Sequence, residues 1–557
     1  MQSDKRLTLA VLFVGLAFTA CTTGGPSKPS FDWSPKARQA LLQKTTRDPE
    51  TLARQAWSRL VAGELAQAGR ELGQVAQESA LAPATRRRAW LGSAFAQLAQ
   101  AEKMAEFEQA AQAFVHCLRS APAAGSDAQL AAGQLSEVLH QIPSGHQLHA
   151  KAIEALLQAP GTDAATRRCL RVSLYEGARR AGNMEGARQQ ARQLGVPPVW
   201  LLEGPCGRHP WLAYAEAKGQ PKQESDSVCA AKPHPLWSEG LRLEMTASAH
   251  PGLYRAQTWL FLETTSDLRL RVDSEKAFLL SVDDKRLHQH DSHLKHLPRV
   301  SLLGLRVGAG WHRLQIELPL ETRAHPDIEL VGSDGNPAPI RWWEGEMPPP
   351  AIKIGQAPKS QLLPSAAQSL EAELATDTQD PILAWLAGLL RWEEGRIDLG
   401  RIHMQSALAS APDFALAEYM HALMLQLDPD LPEGIDRQRA REALERAAAG
   451  SPEFALARFR LALLEAEQGQ EEKALARLDV LDARHPRSFL WPHFRSIIQG
   501  KLGWSQASQR SLRQARRRLP DQPDLLMRSF EEARQHHALA LRQSLAEEVA
   551  RLHHGTG

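Results

Sequence analysis

The chain has 557 residues and carries 66 Lys and Arg against 64 Asp and Glu, a formal charge of +2. A hydrophobic share of 43% with 23% charged residues is that of a globular protein of roughly three to four domains. The near balance of charge argues against a bulk electrostatic nucleic-acid binder, so nucleic acid is not an expected partner. The one dense basic run, "RSLRQARRRL" (510–519), holds five arginines and reads as the solvated face of an amphipathic helix.

The chain opens with Lys5 and Arg6, then an apolar run of twelve, "LTLAVLFVGLAF" (7–18), and the small residues Thr19 and Ala20. Twelve residues are too few to cross a hydrocarbon core of about 30 Å, and the order of parts is that of a secretory signal. Cys21 follows, then the polar, small residues "TTGGPSKPS". This segment resembles a bacterial lipoprotein signal, with Phe18 where that motif usually has Leu. The resemblance implies that residues 1–21 end at a lipidated Cys21 and that 22–35 are a flexible linker. It also implies a body held at the bacterial cell envelope by acyl chains. Thr22, in place of an Asp, points to the outer membrane.

Residues 36–200 read as an irregular helical domain. "WSRLVAGELAQAGRELGQVAQES" places Gly63, Ala68, Leu72 and Val75 at steps of five, four and three. Gly182, Ala187, Ala191 and Leu194 repeat those steps; Ala110 and Phe114 keep the step of four after Gly92 and an insertion, with Pro122 eight residues beyond Phe114. Residues 201–235 read as a connecting loop region. Cys206 and Cys229 flank its polar, Gly/Pro-containing stretch and are the candidate disulfide, which an envelope location permits. Cys117 and Cys169 lie in helical patterns and read as small buried residues. No CxxC pair occurs.

From 236 to 345 the period changes. "AQTWLFLETTSDLRLRVDSEKAFLLSVDDKRLHQ" and "RVSLLGLRVGAGWHRLQIELPL" alternate apolar and polar residues around short turns, which predicts antiparallel strands. Half of the fourteen tryptophans fall between 200 and 343, which suits a sheet-on-sheet core. The order of elements resembles the PA14 and galactose-binding-like jelly rolls, on the "RVDSEKAFLLSVDDKRL" hairpin and the later "GAGWHRLQIEL". In PA14 lectins an Asp-Asp pair before the hairpin holds the calcium that binds sugar. Asp273-Ser274 stands there, so half of the pair is missing. Trp311, Trp342 and Trp343 are the candidates for stacking on sugar rings. His288, His290, Asp291, His293 and His296 form a dense cluster. Their imidazoles are metal-ligand types, but they share one polar segment rather than converging from separate elements, so it reads as a surface loop and no metal is assigned. The Pro-rich stretch 346–366 reads as a linker.

Residues 367–557 are the most regular. Pro412, Pro452, Pro486 and Pro520 are spaced 40, 34 and 34 apart. Before them recur a small residue (Gly400, Ala440, Ala474, Ser508), a large one (Met404, Leu444, Leu478, Leu512) and a third apolar one (Ala407, Ala447, Leu481, Ala515). Glycines at 395, 469 and 503 precede the small residue by five, and six extra residues fall within "LQLDPDLPEGID". This pattern resembles tetratricopeptide repeats (TPR), helix–turn–helix units of 34 residues. One unit cannot bury its own apolar face, so units stack into a solenoid. The repeats cover about 381–520, with a capping helix near 523–552. Arg391, Tyr419, Arg458, Arg460 and Arg495, on the first helices, are the candidate lining of a partner groove.

The predicted fold is therefore multidomain α plus β: N-terminal and C-terminal TPR-like helical solenoids flanking a central antiparallel β-sandwich. No phosphate loop, HExxH or GxSxG motif occurs, and no catalytic residue or cofactor is assigned. The expected function is a non-catalytic, lipid-anchored envelope scaffold that binds protein or peptide partners. The alternative is a carbohydrate or cell-wall binder acting through the sandwich.

Overall fold

The computed structural model describes residues 31–101, 104–120, 123–142, 145–206, 209–219, 233–238, 240–246, 251–291, 299–345, 358–428, 432, 434–520, 523–535 and 541–547. Cys21 and the signal, Cys229, His293 and His296 lie outside them. Among the described residues nine helices come first: α1 (Pro35–Leu42), α2 (Pro49–Val61), α3 (Leu65–Val75), α4 (Pro83–Gln100), α5 (Met104–Arg119), α6 (Ser126–Gln141), α7 (Gly145–Gln158), α8 (Ala164–Arg180) and α9 (Met184–Gln193). Their starts are written in the sequence. Asp48 accepts from the Thr51 amide ahead of Pro49, and Asp163 accepts from the Ala165 and Thr166 amides.

Among the described residues, the helices after the sheets include α11 (Ala366–Leu374), α12 (Pro381–Glu393), α13 (Ile397–Ser410), α14 (Ala415–Leu427), α15 (Ile435–Gly450), α16 (Ala455–Glu467), α17 (Glu471–Arg484), α18 (Leu490–Lys501), α19 (Ser505–Arg518) and α20 (Pro523–Gln535). The pairs α12–α13, α14–α15, α16–α17 and α18–α19 are the tetratricopeptide-like units. Gly395, Gly469 and Gly503 turn between helices at φ of 80°, 73° and 75°, a left-handed region that disfavours a side chain. The three recurring residues of each second helix are buried: Gly400, Met404 and Ala407 in α13, and their counterparts in α15, α17 and α19. In α19 Leu512 and Ala515 face inward while Arg510, Arg513 and Arg517 are exposed.

Gly63 and Gly182 make the same turns at φ of 80° and 71°. Gly92 does not. It lies inside α4, where a Cβ would stand 2.5 Å from the Trp57 ring, so its small size serves helix contact rather than a turn.

The two helical runs are not separate stacks. Residues from Trp33 to Leu170 and from Ala366 to Leu525 share one apolar cluster. Phe95 of α4 meets Trp385 of α12 with ring centroids 5.0 Å apart. The Ser451 hydroxyl donates to the Gly63 carbonyl at 2.9 Å, and that of Ser126 to the Ala366 carbonyl at 2.9 Å. Arg88 pairs with Glu373 at 2.6 Å, and Arg38 pairs with Asp413. The helical body is thus one unit, split in sequence by the sheet region between α9 and α11.

That region begins earlier than its alternation suggests. Strand β1 (Val199–Cys206) and helix α10 (Pro210–Gly219) precede β2 (His234–Trp237) and β3 (Met245–Thr246). There follow β4 (Gly252–Leu262), β5 (Ser266–Asp273), β6 (Phe278–Val282), β7 (Lys285–His290), β8 (Val300–Val307), β9 (Gly310–Leu320), β10 (Arg323–Ala324), β11 (Asp327–Gly332), β12 (Ile340–Trp342) and β13 (Lys359–Leu362). One sheet runs β2-β1-β4-β9-β6-β7, with β12 also on β4, and another runs β11-β5-β8-β13. All pairings in both are antiparallel. Tyr254, Leu260, Phe278 and Ile316 of the first sheet share a core with Leu270, Leu303, Leu305 and Ile328 of the second. Asp283 and Asp284 form the two-residue β6–β7 turn at φ of 50° and 64°, as Asp tolerates. Among the described residues no helix is long and apolar enough to cross a membrane.

Candidate functional site

The expected groove is filled from within. Helix α12 is buried from Pro381 through Arg391, and α14 is buried nearly all round, whereas α13 buries only one stripe. A helix apolar on every face needs cover on every face. The second helices cover one side of α12, α14 and α16, and α4 covers part of the other. Phe95, Leu98 and Ala99 leave only about 30 Å³ between themselves and Trp385, Tyr419 and Phe454.

The five groove candidates accordingly do other work. Arg391 is buried and binds Glu371 and Glu394, each at 2.7 Å, so it locks α11 to the end of α12. Tyr419 is buried against the Phe454 ring at 4.9 Å. Arg458 is half-buried, and burial, with Arg477 and Arg484 nearby, lowers its pKa. Arg460 is half-buried and hydrogen-bonds Tyr419. Arg495 pairs with Asp479, and with Asp482 at 3.7 Å. They do not converge on an open surface as the sequence suggested. The signal was present in "PILAWLAGLLRW", which carries apolar residues on all sides of a helix.

The sheets are fastened to the helices by a chain of ions. Arg168 of α8 grips Glu329 of β11 with two donors at 2.7 Å. Arg271 bridges Glu329 at 3.3 Å and Asp273 at 2.6 Å, and Arg299 also holds Asp273. Asp273 is the residue that matches the retained half of the calcium-binding Asp pair. Burial pushes its carboxyl up, but these two guanidiniums outweigh that and hold it below its usual range. Its oxygens are therefore spent on arginine. The Leu330 amide also donates to the Gly195 carbonyl at 3.0 Å, and the Arg299 amide to the Glu394 carbonyl at 2.8 Å.

Beside this chain lies a cleft of about 440 Å³, bordered by Glu137 and His140 of α6, Tyr175 of α8, Arg242 and Asp327. Burial pushes Asp327 up to about 6 and Glu137 up to about 7. At the neighbouring α6–α12 seam, burial pushes Glu393 up to about 8, although Gln134 donates to it at 3.2 Å. Each carboxyl binds its proton more tightly folded than unfolded. Its contribution to stability is full below the ordinary carboxylate range and is lost as pH rises toward 8. Glu393→Gln is expected to flatten the fall in denaturation midpoint between pH 5 and pH 8. An unchanged slope would refute this. Cys117 and Cys169 are buried and outside any disulfide, and burial raises both thiols, Cys169 to about 12, so neither is a ready nucleophile.

The histidine cluster is not a loop at its start. His288 and His290 lie in β7, on one side of the strand as the spacing required. His290 stacks on Phe278 at 5.2 Å, and the His288 Nε2 meets the Ser301 hydroxyl at 2.9 Å. Burial, then His290, lowers His288 to about 4, so it packs as a neutral ring. Among the described residues no group of three or more His, Cys, Asp or Glu is placed to hold a metal ion. Cys206 is disulfide-bonded, while its expected partner Cys229 lies outside the described residues.

The three tryptophans divide. Trp342 packs against the shared core and borders a second cleft of about 290 Å³ with Arg192, Pro198 and Glu344. Trp311 lies 5.4 Å from Phe261, and Trp343 lies 5.2 Å from Trp259. Arg341 stands 4.5 Å over the Phe261 ring. The sequence reading missed Phe261, Trp259 and Arg341, although alternation along "TWLF" places Trp259 and Phe261 on one face.

No family model matches the chain, and no curated protein matches it. Among solved structures it is similar to MamA, at 16% identity over 28% of this chain and 86% of that one, with a TM-score of 0.24. It is also similar to PilW, described as a widely conserved type IV pilus biogenesis factor, at 20% identity over 34% and 83%, with a TM-score of 0.27. PilF of Pseudomonas aeruginosa gives 14% identity over 34% and 84%, with a TM-score of 0.27. At scores of this size the tetratricopeptide-like reading rests on the helix pairs themselves.

Proposed function

We propose that the chain is a non-catalytic interaction scaffold of the bacterial cell envelope, held at a membrane, the outer one on the reading of Thr22, by lipid on Cys21. The observation that carries this is the use of side chains in α13, α15, α17 and α19. In α13 a narrow stripe of Gly400, Met404 and Ala407 is buried, and the rest of the helix is half-buried or exposed as an outer wall. Solenoids bind partners over extended surfaces of this kind. With part of the inner face covered by α4, the partner, a protein or peptide, meets the outer wall, where Ile402, Val480 and Trp504 are exposed. A photo-crosslinking residue at Ile402 or Val480 is expected to capture that partner in cells, and one at Leu416 is not. Adducts from Leu416 alone would overturn the outer-wall reading. Cys21→Ala is expected to release the protein from the membrane fraction, and retention would refute the lipid anchor.

A second reading is a carbohydrate or cell-wall binder acting through the sheets as a jelly-roll-like β-sandwich. The gathering of Phe261, Trp311 and Arg341 on one face favours it. No cofactor is needed under either reading.

A further inference from the structure

The outer face of the larger sheet carries an aromatic ledge. Leu260, Leu262, Leu314 and Ile316 point into the shared core, so their neighbours Trp259, Phe261, Trp311 and Arg313 point the other way. Strand pairing sets Phe261 between Trp311 on β9 and Arg341 on β12. Trp343, just beyond β12, is tied to Trp259 by an amide-to-carbonyl bond of 3.0 Å and a ring contact. The two ring pairs therefore sit side by side, offset by two strand residues, or about 6.8 Å. Trp259 is 7% exposed and serves as a support, while Phe261, Trp311 and Trp343 are half-buried and keep open surface.

Arg341 gives the ledge its chemical character. Its guanidinium lies 4.5 Å from the centroid of Phe261 and 5.9 Å from that of Trp311. The residue is exposed and forms no ion pair or hydrogen bond among the described residues. Arg313, by contrast, is spent on Asp284 at 2.5 Å. Glu344, exposed and bordering the same cleft as Arg341, forms no ion pair with it. A guanidinium lying over a ring still has N–H donors to offer, and it can receive a carboxylate through two of them. Rings alone accept the apolar faces of any sugar. Rings beside a guanidinium with no ion-pair partner among the described residues select one that carries an acid group.

We infer that this ledge is a binding site for an acidic glycan, with a sugar ring on Trp311 and Phe261 and its carboxylate on Arg341. This rests on the carbohydrate reading and narrows it to a ligand class and a face. The test uses the full chain, with calorimetric titration of a tetragalacturonate and of its methyl ester. The acid is expected to bind about tenfold more tightly than the ester, the size of one charge-assisted pair. Arg341→Ala is expected to erase that difference, Trp311→Ala to weaken both ligands, and Leu148→Ala, exposed on α7, to change nothing. The Arg341 side chain is exposed, so an unchanged melting curve separates lost binding from lost fold. Equal binding of acid and ester, or an Arg341→Ala variant that still prefers the acid, overturns the inference and leaves the carbohydrate reading standing. No binding of either ligand overturns both.

Discussion

Trp385→Ala is expected to cost about 3–5 kcal/mol of unfolding free energy, the range for a large aromatic removed from a packed core. Trp385 is 2% exposed and stands between Phe95 of the N-terminal helices and Phe414 of the C-terminal ones, with centroids at 5.0 and 5.5 Å. The void would open at the seam between the two helical runs, where no single helix pair can collapse to refill it. Loss at the seam has a second signature. Arg38 with Asp413, and Ser451 with Gly63, hold only while the runs stay closed. Denaturant unfolding of Trp385→Ala is therefore expected to show a lowered midpoint, with hydrogen exchange rising in α4 and α12 together. A loss below about 1 kcal/mol, the cost of an ordinary surface change, would mean that the two runs are not one cooperative body.

Arg168→Met is expected to cost a comparable amount, about 3–5 kcal/mol, because it leaves the buried Glu329 carboxylate with only its longer, 3.3 Å pairing to Arg271. Burial pushes Glu329 up, but Arg168 and Arg271 outweigh that and hold it below its ordinary value. The stability this provides is present above the ordinary carboxylate range and is lost as pH falls through the lowered value. Without Arg168, the variant should unfold at higher pH on acid titration than the parent. Combining it with Glu329→Leu should restore part of the loss, since removing both charges leaves no orphan. If the double variant is as unstable as the sum of the singles, the pair is not what joins α8 to β11.

The two variants mark what the sequence made legible. Packing within a repeat was readable, because it depends on residues a fixed distance apart. Ala440, Leu444 and Ala447 recur at the step of the other units, and all are buried. The strands from Gly252 to Leu320 were readable because their faces alternate. Strand β1, "VWLLEGPC", was not, since burial on both faces removes alternation. Strand β13, "KSQL", is exposed along its length and carries no pattern. The groove was misplaced because the repeat states which residues pack within a unit and nothing about what enters the concave side. The ledge was half legible. Trp311 and Trp343 stood out by type, but Phe261 and Arg341 acquire meaning only through the pairing of β4 with β9 and β12.

The seam also bears on how the chain reaches this state. Ser451 and Gly63 are 388 residues apart, and Arg38 and Asp413 are 375 apart. Bringing such distant points together in a disordered chain costs about 5 kcal/mol of loop entropy before any contact repays it. The sheets lessen that cost once they have formed. The Gly195 carbonyl is bound by Leu330, and the Leu363 amide is bound to the Leu302 carbonyl, so both ends of the insertion are pinned to the same small sheet. A folded insertion makes two remote stretches of chain into near neighbours. It thus acts as a clasp on the chain, setting an order of assembly in which local helix pairs and sheets come first and the closure of the helical body comes last.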